Sequence, residues 1–198
     1  RVVGYKRLDL FMSLLEDDAL REQFINARLV VVIGGRMHQD DSYGREQFAR
    51  LRSLWEKYPI LKKRVVFFEN YNRREAPRLF QGADASMMLA FDGFEAAATG
   101  FQKGQMNGDA IIATSDGAVP ESVIFYDRSR NNSDVANGFL VPYDATVSAD
   151  GREVGAPSKE GLLGAFLQFS NAFRDETVRV QFIRNALIKT PHVHVDRT

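Results

Sequence analysis

Leu29-Val30-Val31-Val32-Ile33-Gly34-Gly35-Arg36 decides the fold class. An apolar, mostly β-branched run that stops at two glycines is the pattern of a strand buried on both faces and ended by a turn. The pattern recurs on either side. Val2-Val3 opens the chain in the same way, and Val65-Val66-Phe67-Phe68, Ala85 to Leu89 and Ile111-Ile112-Ala113 continue it. Between these runs, Leu8-Leu10-Phe11-Leu14-Leu15, Phe48-Leu51-Leu54-Trp55 and Ala76-Leu79-Phe80 place apolar residues at helical spacing. Strand and helix in alternation predict an α/β domain with a Rossmann-like, doubly wound parallel sheet.

After Phe125 the rhythm changes. Asp127 to Ser133 reads as a polar loop and Asn137 to Pro142 as a short strand ending in proline. Residues 144–158, rich in Gly, Asp, Ser and Pro, read as one long connection. Two closing helices are expected within about 159–190, from Glu160 to Phe173 and from Asp175 to Ile188. Asn171 or Arg174 precedes the second, with Asp175-Glu176 in its first turn. Residues 1–198 are read as one domain, and the strand-like Val2-Val3 after an initial Arg1 suggests a piece of a longer polypeptide.

Composition narrows the function. Lys and Arg number 26 and so do Asp and Glu, which argues against a nucleic-acid or acidic-membrane binder that relies on net positive charge. The balance conceals a segregation: residues 1–80 carry 16 basic and 11 acidic side chains, and residues 81–151 carry 3 and 10. Any anion site should draw its cations from the first part. The chain has no cysteine, which excludes disulfides and thiolate metal sites and fits a reducing compartment, the cytoplasm. No apolar run approaches the roughly 18 residues of a membrane span.

In doubly wound folds ligands sit beyond the carboxyl ends of the strands, and four such places carry chemistry. Arg1 and Lys6, five residues apart, can close on a phosphate from two sides; the same spacing suits a solvated basic turn. Gly34-Gly35 allows backbone to approach a ligand, or simply turns the chain. The stretch from Phe91 to Gly108 is the richest. Glu95 offers a carboxylate to sugar hydroxyls, the small residues Ala97 to Gly100 leave backbone N–H groups accessible, and Lys103 stands alone between Lys63 and Lys159. A lysine in a partly apolar pocket loses its proton readily and condenses with a carbonyl group, although an exposed helix lysine would look the same in sequence. Asp116 and Glu121, in the loop after Ile111-Ile112-Ala113, can hold a hydroxyl-rich ligand or cap the next segment. His38, beside Asp40 and Asp41, reads as a surface residue. His192 and His194 have chelating spacing without an evident third ligand, so no metal site is expected.

Taken together, these segments resemble the carboxy-terminal domain of the α-glucan phosphorylases, the glycogen, starch and maltodextrin phosphorylases of the GT-B glycosyltransferase superfamily. The family's Glu-Tyr-Lys-Arg is similar to Gly4-Tyr5-Lys6-Arg7, and its Ile-Gly-Gly-Lys to Ile33-Gly34-Gly35-Arg36. Its Phe-Leu-Glu-Asn-Tyr resembles Phe67-Phe68-Glu69-Asn70-Tyr71, and its Ala-Ala-Asp-Leu-Ser resembles Gly82-Ala83-Asp84-Ala85-Ser86. Its Glu-Ala-Ser-Gly-Thr-Gly-Asn-Met-Lys lines up with Glu95 to Lys103. Met106-Asn107-Gly108, Asp116 to Glu121, Ile183-Arg184-Asn185 and Asp196-Arg197-Thr198 extend the match in the same order. Three departures stand out: Ala97-Ala98 replaces Ser-Gly, Phe101-Gln102 replaces Asn-Met, and Val119-Pro120 replaces Asn-Val. Asp116 to Val123 and Asn137 to Pro142 also resemble the glycogen synthases of the same architecture, which carry a glutamate where this chain has Lys103.

The phosphorylase resemblance implies the carboxy-terminal lobe of a GT-B enzyme that transfers a terminal glucosyl unit of an α-glucan to phosphate, giving glucose 1-phosphate. It implies pyridoxal phosphate on Lys103, with Thr99, Gly100 and Lys6 around the cofactor phosphate and Tyr71 as a neighbour. Arg1 would bind the substrate phosphate, and Glu95 with the backbone of Ala96, Ala97 and Ala98 would hold the glucose. The implied partners are glucan, phosphate and a missing amino-terminal lobe, with a homodimer left open and no nucleic acid or membrane. The alternatives are a nucleotide-sugar-dependent transferase of the glycogen or starch synthase type and a non-catalytic phosphorylase-like domain.

Overall fold

The computed structural model describes residues 2–35, 42–68, 71–147 and 153–190. Two parallel sheets carry the α/β frame. In the first, β1 (Val31–Gly34) pairs with β2 (Val65–Phe68). In the second, β4 (Ala110–Ala113) lies between β3 (Ala85–Met88) and β5 (Gly138–Leu140). All four residues of β4 are buried, as expected of the central strand. Val2-Val3, read as a strand, pairs with nothing among the described residues. Val3 is extended but leads at once into a short 3-10 turn over Gly4–Lys6, which leaves too few residues for a ladder.

Helices α1 (Leu8–Glu16) and α2 (Asp18–Asn26) precede β1, α3 (Ser42–Lys57) links β1 to β2, and α4 (Ala76–Gln81) links β2 to β3. α1 and α2 form a corner because Asp17 leaves the helical region and its side chain accepts the N–H groups of Ala19 and Leu20, starting the second helix. α5 (Thr99–Gln105) connects β3 to β4, and α6 (Val119–Ser122) follows β4. The expected connection over 144–158 instead contains an antiparallel hairpin of β6 (Tyr143–Val147) and β7 (Glu153–Pro157). The closing helices are α7 (Lys159–Ala172), capped by the Ser158 hydroxyl, and α8 (Glu176–Lys189). Asp175, rather than Asn171 or Arg174, caps the latter through the amides of Thr177 and Val178.

Aromatic rings fill the centre. Phe11, Phe24 and Phe166 tie α1, α2 and α7 together, and Phe139 of β5 stacks on Phe182 of α8 with centroids 4.9 Å apart. No helix among the described residues is long and apolar enough to cross a membrane.

α5 is seated on the second sheet at one point. Gly104 lies so close to Ser86 of β3 that a Cβ there would collide with the Ser86 hydroxyl. That hydroxyl donates to Oδ2 of Asp109, which is fully buried and whose Oδ1 has no partner. Burial is the main cause that pushes the Asp109 carboxyl up to about 7; the Ser86 hydrogen bond opposes it and the charge of Asp84 adds to it. A carboxyl raised in the folded state binds its proton more tightly there than in the unfolded chain. Its contribution is therefore fully present below the ordinary value of 3.8 and is lost as pH rises towards 7. Asp109→Asn removes this loss while keeping an acceptor for the Ser86 hydroxyl. In urea unfolding, the stability of the variant relative to the parent chain should climb between about pH 4 and 7 and level off above; a difference that does not change with pH would contradict the assignment.

Candidate active site

The segments that follow β3 and β4 are locked together by one carboxylate. Asp116, 7 % exposed, accepts the backbone N–H groups of Gly93 at 3.1 Å and Glu95 at 2.8 Å. Gly117 turns the chain with φ +57, and a Cβ on it would lie 3.0 Å from the Glu95 carbonyl oxygen, so the two loops are in direct backbone contact. Glu95 is thereby fixed, and its Oε2 accepts from the Lys6 ammonium at 3.0 Å. Its side chain is 10 % exposed and that of Lys6 39 %, so the carboxylate is largely covered while the ammonium reaches solvent.

The turn bearing Lys6 is braced from behind. Arg7 adopts a left-handed conformation (φ 52), lays its guanidinium 4.3 Å from the Phe91 ring centroid and makes a forked contact with Asp9. The Tyr43 hydroxyl donates to Asp9 at 2.8 Å and accepts from the Asp9 amide. Burial raises this phenol to about 12, so it remains a donor throughout the neutral range.

Beyond Glu95 the chain crosses exposed Ala96 and Ala97 and reaches Ala98, buried and left-handed at φ 53. An alanine here holds a conformation that glycine adopts freely, at the position where the phosphorylase pattern has glycine. α5 then divides into two faces. Phe101, Gly104 and Gln105 are buried, and the Gln105 amide donates to the Ser122 carbonyl. Thr99, Gly100 and Lys103 are exposed; spacings of three and four put them on one face, and a Cβ on Gly100 would meet nothing within 4 Å. Lys103 borders a cavity of about 650 Å³ shared with Tyr71, Arg73, Phe80, Met106 and Asn107.

The structure thus brings Lys6 to Glu95 and the Ala96–Ala98 loop, and Tyr71 to Lys103, with Thr99 and Gly100 on the helix between the two groups. Arg1, Arg36, His38, Glu69, Asn70, His192, His194 and the segment Asp196-Arg197-Thr198 lie outside the described residues. Gly34 and Gly35 are packing glycines. A Cβ on Gly34 would lie 2.9 Å from the Tyr71 ring, and one on Gly35 would lie 2.6 Å from a Val2 methyl. Asp116 caps the loop of Glu95, and Glu121 is exposed in the first turn of α6. The brace of Arg7, Asp9 and Tyr43 was not legible, because Tyr43 lies 34 residues from Asp9; Arg73 was signalled only by its nearness to Tyr71.

This arrangement is the fold of the GT-B glycosyltransferases. The catalytic domain of starch synthase IV from Arabidopsis thaliana, solved with ADP and acarbose, superposes on 94 % of the chain with a TM-score of 0.66 and 14 % identity, the match covering 33 % of that structure. The sequence is similar to the carbohydrate phosphorylases, whose family model matches residues 59–123. Glycogen phosphorylase of Bacillus subtilis is 34 % identical over 92 residues, 44 % of this chain and 12 % of that enzyme. Maltodextrin phosphorylase of Thermococcus litoralis is 29 % identical over 121 residues, 59 % of this chain and 14 % of that enzyme. The chain therefore spans about an eighth of the length of these relatives.

If Asp116 holds the site together, Asp116→Ala strands two part-buried N–H groups and should cost about 1–3 kcal/mol, whereas Glu121→Ala at the exposed neighbouring turn should stay within about 0.5 kcal/mol. Urea unfolding of both variants checks this; equal losses would show that Asp116 has no special role.

Proposed function

We propose that this chain is the carboxy-terminal lobe of a retaining α-glucan phosphorylase. Within that enzyme it serves transfer of a terminal glucosyl unit to inorganic phosphate. The bond from the anomeric carbon to the glucan oxygen breaks, a bond from that carbon to a phosphate oxygen forms, and the phosphate proton ends on the released glucan hydroxyl. The observation that carries this reading is the position of Lys103. It is the lysine that the resemblance assigns to pyridoxal phosphate, it borders a cavity with Tyr71, and both lie within the stretch matched by the phosphorylase family model.

The residues at that cavity suit the cofactor. Two aromatic rings, Tyr71 and Phe80, offer apolar walls, Lys103 supplies the amine and Arg73 a guanidinium, in a volume of the usual ligand-site size. When bound, the cofactor supplies a phosphate group able to give and take a proton at the inorganic phosphate. The chain's own residues bind and orient. Lys6 has three N–H donors and spends one on Glu95, so the others can hold an anion while the pair stays intact. Glu95 retains Oε1 as an acceptor for a sugar hydroxyl, and the backbone of Ala96 to Ala98 borders the same space. Clustered cations offset the repulsion between two phosphate groups held close together. Because the chain spans so little of its relatives, the glucan, the regulation and the second lobe belong to the longer enzyme, and the fragment alone should be inactive.

The second reading, a nucleotide-sugar transferase, is favoured by the replaced residues Phe101-Gln102 and Val119-Pro120 within the signature. Assays of the full-length protein separate the two. With a maltooligosaccharide, phosphate should release glucose 1-phosphate, ADP-glucose and UDP-glucose should not elongate the glucan, and Lys103→Ala should lower the rate about 100-fold or more. Nucleotide-sugar turnover that survives Lys103→Ala would replace the first reading with the second, and no turnover of either kind would favour a non-catalytic domain.

A further inference from the structure

Phe94 is 57 % exposed and is the one exposed aromatic side chain among the described residues. Aliphatic side chains scattered over a surface are ordinary. Phe94 differs because its backbone is fixed. The amides of four consecutive residues are engaged: Asp92 donates to the Gly155 carbonyl of β7 at 2.9 Å, Gly93 and Glu95 donate to the Asp116 carboxylate, and Phe94 donates to the Phe91 carbonyl at 3.2 Å. Gly93 supplies a left-handed residue to this turn, at φ 77. The ring is braced as well. Phe91 lies 5.6 Å away, centroid to centroid, at an interplanar angle of 55°, and the Arg7 guanidinium in turn holds Phe91. A bulky apolar ring is thus kept in water by a frame that has already removed much of its freedom.

The chemistry beside the ring selects what covers it. Phe94 stands two residues after Asp92 and immediately before Glu95. The Asp92 side chain is exposed and has no hydrogen-bond or ion-pair partner among the described residues, and Glu95 keeps Oε1 unpaired. An apolar protein surface laid over Phe94 would strip water from these carboxylates without replacing its hydrogen bonds. A nucleotide would bring phosphate charge towards the unpaired Asp92. A pyranose ring meets neither objection. Its C–H face is apolar and suits the negative face of an aromatic ring, and the hydroxyls at its edge donate to carboxylate oxygens.

We propose that Phe94 is a stacking platform for a pyranose ring of the glucan, with Asp92 and Glu95 accepting hydroxyls beside it. The inference rests on the glucan reading of Glu95 and adds an apolar half to that site. Because the turn is held before the sugar arrives, little freedom is lost on binding. Phe94 therefore acts on sugar affinity and leaves phosphate and cofactor to Lys6 and Lys103.

Calorimetric titration of the full-length protein with maltoheptaose tests this, with Phe94→Ala and Phe94→Trp beside the parent. Phe94→Ala should raise the Kd for maltoheptaose, and its KM in phosphorolysis, about 10-fold. Phe94→Trp keeps an aromatic face and should stay within about 2-fold of the parent. The KM for phosphate and the urea midpoint should not change in either variant, because so exposed a ring has little burial to lose. Maltoheptaose binding that depends on Phe94 in a protein without phosphorolysis would uphold the platform and remove the phosphorylase reading, so the two fail separately. The proposal is overturned if the parent binds no maltoheptaose, if Phe94→Ala binds it as the parent does, or if Phe94→Ala loses affinity for ADP in its place. A urea midpoint that falls in step with the lost sugar affinity would make the ring a packing residue, and would overturn it as well.

Discussion

The buried carboxylate of Asp116 accepts the amides of Gly93 and Glu95 at once, and the geometry of the site follows from that pair of hydrogen bonds. They carry the chain leaving β3 against the turn after β4, which aims Glu95 at Lys6 and delivers Ala98 to the start of α5. Such a contact is rigid because an acceptor this buried is costly to leave unpaired. The rest of the frame supplies counter-pressure: Arg7 against Phe91 and Asp9 on one side, and Gly104 against Ser86 and Asp109 on the other.

Much of the frame was legible in the residues themselves. The runs at 31–34, 65–68, 85–88 and 110–113 became strands because each is short, apolar and bounded by turn chemistry. α2 escaped notice because it buries only Arg21 and Phe24 and shows little apolar periodicity. The β6–β7 hairpin escaped because Asp, Gly, Ser and Pro interrupt its short apolar stretches, and its register comes from cross-strand pairing that no local pattern announces. The site divided in the same manner. Lys103, Tyr71, Thr99, Gly100 and Glu95 could be named from motif order, whereas the capping role of Asp116 and the seat of α5 on Asp109 arise only when distant segments meet.

The neutral net charge takes on a definite meaning once the pairs are known. Many of the surplus cations in the first part of the chain are engaged in holding the fold: Arg50 with Glu16, Arg21 with Asp18 and over the Tyr58 ring, Arg7 with Asp9. Lys6 and Arg73 are the cations from that part that reach the two halves of the site, and Lys103 is the one contributed by the acidic middle. The proposed phosphate site can therefore be positive within a chain of balanced charge.

The account turns on Lys103, and chemical trapping reads it most directly. Full-length protein loaded with pyridoxal phosphate, reduced with borohydride and digested, should yield one pyridoxyl-bearing peptide with the modification on Lys103. An unmodified Lys103 in cofactor-replete protein, or a label spread over surface lysines, would contradict the phosphorylase assignment.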